Sequence, residues 1–149
     1  METPGLPPFV GIPSFLRSRV VGPGELFTAE LAVLGAPSDE GSPFMGGSRF
    51  GPQSLREHSL RFVGERAGYS DPNRGSRFLE REMRDGHIVD LGDAHIVPTN
   101  VPFSFDSITA LTARALAGSA VPIVGARTIV EFLGQLTAAA PWARRVRLT

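Results

Sequence analysis

Three short apolar runs constrain this chain most. They are "ELAVLGAP" (30–37), "HIVDLGD" (87–93) and "AVPIVG" (120–125). Each is too short for a buried helix and ends in turn-forming or acidic residues, the signature of a buried strand. Helical patterns separate them. After the first run, Pro52 can take the first helical position, with Leu55, Ser59 and Phe62 on one face and Leu60 and Val63 beside it. After the second, Asp106 can cap a helix over 107–117, with Ile108, Leu111, Ala115 and Leu116 inward and Gly118 as its stop. Strand alternating with helix predicts an α/β fold, a parallel sheet covered by helices.

The remaining segments read as connections. Residues 1–25 are rich in Pro and Gly, with little periodicity, and predict an amino-terminal arm wrapping the body over 26–125. "SDEGSPFMGGSRFG" (38–51) is a long Gly-rich loop, 67–86 a polar stretch with the turn-rich insert "SDPNRGS", and "VPTNVPFS" (97–104) a Pro-punctuated loop. No internal repeat is present.

Composition removes several classes of function. A chain of 149 residues is enough for one domain with a modest core. Fifteen basic and fifteen acidic residues cancel, so bulk charge calls for neither nucleic acid nor an anionic membrane. All the basic residues are Arg, a bias that suggests GC-rich coding. With no cysteine there is no disulfide, thiolate ligand or thiol nucleophile. The sequence shows no secretory h-region and no apolar run able to span a bilayer, so a cytoplasmic location is the expectation.

Function in a parallel sheet gathers at the carboxyl ends of its strands. These ends are Gly35–Glu40, Asp90–His95 and Val124–Thr128. "GSPFMGGSRFGP" is not a phosphate-binding P-loop, because no Gly-Lys-[Ser/Thr] follows its glycines. It reads as a loop needing tight turns, and as a whole it can serve as a lid or a subunit contact. No Gly-x-Ser-x-Gly elbow supplies a serine nucleophile. The candidate metal ligands are Asp93 and His95, two residues apart and so on one face of a regular strand, with Asp90 nearby. Two ligands fall short of a catalytic metal site, which usually needs three or more. The competing reading makes these carboxylates acceptors for backbone N–H groups of neighbouring loops.

Taken in order, the pieces resemble the ureohydrolase family of arginase, agmatinase and guanidino-acid hydrolases. "FVGIPSFLR" (9–17) resembles the arm of agmatinase-like members. "AVLGAPSDEGSPFMGGSRFGPQSLREHS" (32–59) resembles the family's Gly-x-Pro-x-Asp, its Gly-rich loop and its Gly-x-Arg-x-Gly-Pro-x-x-[Ile/Leu]-Arg. "DLGD" (90–93) is similar to the family's Asp-x-Gly-Asp strand end, and "VPIVG" (121–125) to the strand before its first metal motif. The scaffold positions carried over are Pro37, Asp39, Gly41, Gly47, Arg49, Gly51, Pro52 and Arg56, with Arg49 expected to hold the loop through carboxylate or carbonyl bonds.

The resemblance implies the amino-terminal part of an arginase-like three-layer α/β/α sandwich. It implies hydrolysis of a linear guanidino compound, such as agmatine, to an amine and urea. Two manganese ions, a small guanidino substrate and a trimeric or hexameric homo-oligomer follow from it too. It places Asp93 and His95 upstream of all the family's metal motifs, and so argues against them as ligands. The motifs themselves, Gly-Gly-Asp-His, Asp-Ala-His-x-Asp and a later Asp-x-Asp, are missing: no His follows residue 95 and no Asp follows residue 106. This chain alone is therefore expected to be inactive. The alternative is a non-catalytic binding or regulatory subunit that assembles with a full-length ureohydrolase.

Residues 126–149 differ from the rest. They carry four Arg and one Glu, net +3, against eleven Arg and fourteen acids, net −3, over 1–125. One permitted codon set for "GARTIV" is GGG GCG CGG ACC ATA GTG. Read from its third base, it gives GGC GCG GAC CAT AGT, Gly-Ala-Asp-His-Ser, close to the missing first motif at the place where it belongs. The expectation is a divergent tail read out of frame. The other possibility is a short paralogue with an unrelated helical end, since "TIVEFLGQLTAAA" has helical spacing.

Overall fold

The computed structural model describes residues 11–40, 42, 45–63 and 68–125. The expectations for residues 1–10, Gly41 and 126–149 lie outside the described residues. Strands β1 (Arg19–Val20), β2 (Leu31–Gly35), β5 (Ile88–Asp93) and β6 (Val121–Gly125) form one parallel sheet in the order β1-β5-β2-β6. The three predicted strands are its three longest, and β2 lies between β5 and β6. A separate antiparallel hairpin pairs β3 (Tyr69–Asp71) with β4 (Ser76–Phe78).

Residue alternation divides the sheet into two faces. Ala32 and Leu34 of β2 and Val89 and Leu91 of β5 pack with Val21, Ala115 and Ala120, against Phe27 and Leu111. This is the face covered by helix α3 (Val101–Ala117). Val33 and Ile88 turn the other way and pack with Leu16, Val63 and Met83. Helix α1 (Gly51–Ser59), the short helix α2 (Glu80–Arg84) and a 3-10 turn at Phe15–Arg17 lie on that side. The result is the parallel sheet covered by helices that the alternation predicts, in the three-layer α/β/α arrangement that the resemblance implies. Leu34, Val33 and Val89 are almost fully buried; each contributes roughly 1.5–3 kcal/mol relative to an exposed side chain.

Several local expectations are corrected. The arm is more than a wrap, because Arg19 and Val20 add an edge strand beside β5 and Val21 donates its N–H to the Asp90 carbonyl at 2.9 Å. The polar stretch, described over 68–86, holds the hairpin and α2. Helix α3 begins at Val101, six residues before the predicted start at 107, and Asp106 is inside it. Its cap is Asn100, whose side chain accepts the Phe103 N–H at 3.2 Å. Pro102 misled the reading: proline lacks an N–H, but first-turn N–H groups have no helical partner anyway. Asn100→Ala is expected to cost about 1 kcal/mol. The shift of a urea-unfolding midpoint followed by circular dichroism measures it.

The predicted face of α1 holds only in part, at Ser59 and the adjacent Leu60. Pro52, Arg56 and Ser59 are buried, while Leu55 and Phe62 are exposed. The helix turns a charged residue toward the sheet because two carboxylates wait there.

Candidate functional site

The carboxyl ends of β2 and β5 meet α1 at one ion network. Arg56 sends Nε to Asp90 Oδ2 at 2.8 Å and Nη2 to Asp90 Oδ1 at 2.9 Å, a two-pronged pair. Its remaining nitrogen, Nη1, reaches Asp93 Oδ1 at 2.6 Å. Asp90 also accepts the N–H groups of Phe15 and Gly92, each at 2.9 Å. One buried carboxylate thus ties together the arm, its own strand and α1.

A bulge makes this arrangement possible. Side chains three residues apart on a regular strand face opposite sides of the sheet. Val33 pairs with Asp90, yet Gly35 pairs with Asp93, so β5 has one residue more than β2 over this stretch. Gly92, at φ +74°, takes up the extra residue in a conformation that suits glycine. Asp93 therefore returns to the side of Asp90, where Arg56 can reach both.

The electrostatics follow from the packing. Burial pushes the Asp90 carboxyl up, but the Arg56 hydrogen bonds and the two N–H donors outweigh it and hold the group below the usual carboxylate range. For Arg56, burial opposes the charge, and the bonds to Asp90 and Asp93 raise its pKa above the ordinary value. Neither group exchanges a proton near neutral pH, so the network is architecture.

Gly35 is fixed by the same geometry. A Cβ there would lie 1.9 Å from Asp93 Oδ1 and 2.7 Å from Pro52 Cβ, closer than atoms can pack. Gly35→Ala must displace Asp93 from Arg56 or push α1 off the sheet. It is expected to cost about 1–3 kcal/mol, read from the denaturation midpoint. A midpoint equal to wild type would show that the strand end yields freely.

The Gly-rich loop is organised by Asp39. Ser48 donates its hydroxyl to Asp39 Oδ1 at 2.5 Å, and the N–H groups of Gly47 and Arg49 donate to the same oxygen, each at 3.0 Å. Arg49 Nε lies 2.8 Å from Asp39 Oδ2. The carboxylate therefore caps the 3-10 turn Ser48–Phe50 that leads into α1. The Ser48 bond, the two N–H donors and Arg49 bring its pKa down to about 2 against some desolvation. Arg49 takes the carboxylate option expected for it, with its guanidinium 5.5 Å from the Phe50 ring centre. Gly47 has φ +138°, a conformation that suits glycine. Pro52 is almost fully buried, Gly51 opens α1, and Pro37 is the central residue of the turn in which Ser38 N–H meets the Ala36 carbonyl at 2.8 Å.

Asp93 and His95 have separate engagements. Asp93 holds Arg56, whereas the His95 ring meets the Phe103 ring edge-on at 5.4 Å between centres. The His95 N–H donates to Ser107 Oγ at 2.8 Å. His87 lies at the opposite end of β5 beside Glu30, with Nδ1 2.9 Å from a carboxylate oxygen, and His58 is on α1. Among the described residues, no group of three or more His, Asp or Glu is placed to hold a metal ion. The described side chains thus do not fit a two-manganese centre. Nor does any helix among them have the length and apolarity to cross a membrane.

Sequence reasoning paired Asp93 with His95 and missed Asp93 with Arg56. The available signal was Gly92, a glycine inside an otherwise apolar strand pattern, which marks a bulge.

Comparison with known proteins places these features. The Arginase family model matches residues 29–125. The fold is similar to that of proclavaminate amidino hydrolase from Streptomyces clavuligerus: TM-score 0.56, 26% identity, 74% of this chain covered. It is similar too to a hypothetical agmatinase from Burkholderia thailandensis: TM-score 0.71, 20% identity, 91% of this chain covered. The match spans 33% of the first protein and 41% of the second. Since the family match takes in β2, the Asp39 loop, α1 and the Arg56–Asp90–Asp93 network, the chain belongs to the arginase family.

Proposed function

We propose that this chain is the amino-terminal part of a manganese ureohydrolase, agmatinase-like, that hydrolyses a linear guanidino compound to an amine and urea. The observation that carries the reading is the family match over residues 29–125. The amidino hydrolase and the agmatinase among its structural neighbours favour a guanidino or amidino substrate class. In this reading the described residues are the frame of the enzyme. Arg56, Asp90 and Asp93 lock α1 to the strand ends, and Asp39 fixes the loop ahead of α1. The metal ligands belong to motifs downstream of Gly125, as does the chemistry they support.

The divergent tail is part of the proposal. The family match stops at residue 125, where the charge balance changes and where a shifted frame can encode Gly-Ala-Asp-His. Sequencing the coding DNA from codon 118 onward tests it directly. The expected result is Asp-His just past codon 125 in another frame, followed by Asp-Ala-His-x-Asp. If no frame contains these motifs, the frame reading falls. The chain would then be a short paralogue, a non-catalytic subunit that assembles with a full-length ureohydrolase. Exposed Met45 and Phe50 on the Gly-rich loop favour that second reading, since both offer apolar surface to a partner.

A further inference from the structure

We draw no further inference here: the strongest candidate, the apolar groove between the Phe15–Arg17 turn, α1 and α2 walled by Phe15, Leu55, Phe62, Tyr69, Leu79 and Met83, carries none, because nothing in the structure shows what covers it.

Discussion

Replacing Arg56 with methionine is expected to destabilise the chain by about 3–5 kcal/mol at neutral pH, the usual consequence of stranding one member of a buried ion pair. Methionine keeps much of the stem's apolar packing, so the loss reports the charge. Asp90 is 1% exposed and would keep only the Phe15 and Gly92 N–H groups. The pH dependence should reverse. In the wild type the folded pKa of Asp90 lies below its ordinary value of 3.8. Its contribution is therefore complete above that ordinary value and fades as pH falls through the depressed one. Without Arg56, burial dominates and the folded pKa rises above the ordinary value. The variant then becomes more stable, relative to wild type, as pH is lowered from neutral toward about 4. Urea unfolding at both ends of that range measures the effect. A deficit that is small at neutral pH, or unchanged on acidification, would mean that Asp90 finds water or another donor. Arg56→Lys should recover only part of the loss, because an ammonium cannot bind Asp90 with two parallel bonds while reaching Asp93.

The sheet was legible because its signal is local. Short apolar runs bounded by Gly, Pro and acids need no knowledge of the rest of the chain, and β2, β5 and β6 sit where those runs lie. The α1 face was not legible, since apolar spacing picks out Leu55 and Phe62, while the buried residue is a cation whose partners lie 34 and 37 positions away. No periodicity encodes a long-range ion network; only the motif resemblance marked Arg56 as a scaffold residue. The start of α3 was lost for a different reason. Two prolines and an asparagine read as loop, yet Asn at the cap and Pro in the first turn are also how helices begin. At the candidate site, alternation placed Asp93 with His95, but β5 ends at Asp93, so His95 leaves the strand, and the bulge at Gly92 turns Asp93 toward Arg56. Period-two reasoning fails at strand ends, where a bulge flips every side chain that follows.

Given excess Mn²⁺ in alkaline buffer, the purified chain is expected to release no urea from agmatine, arginine or guanidinobutyrate. Attack on a guanidinium carbon requires a strong nucleophile, and a hydroxide held between two cations supplies one only when several carboxylates and imidazoles fix both ions. The described residues offer no such set. Asp93 Oδ1 is bound to Arg56, so recruiting that oxygen to a metal would break the bond that seats α1. His95 rests against Phe103, and His87 stands at the far end of β5. Asp90 is the buried anchor of the network, enclosed by three donor groups. The control is an Asp93→Ala/His95→Ala double variant, assayed for urea in parallel with the wild type. Urea that appears with the wild type and vanishes with the double variant would make "DAH" a metal site and reverse the assignment of Asp93 to scaffold. If the DNA carries the downstream motifs in a second frame, the frame-restored protein provides the opposite arm. It should release urea with Mn²⁺ and lose that activity on chelation, because its additional residues would supply the ligands that the described part lacks. A frame-restored protein that is folded, metal-loaded and still silent toward all three substrates would overturn the agmatinase-like reading, while leaving the family fold in place.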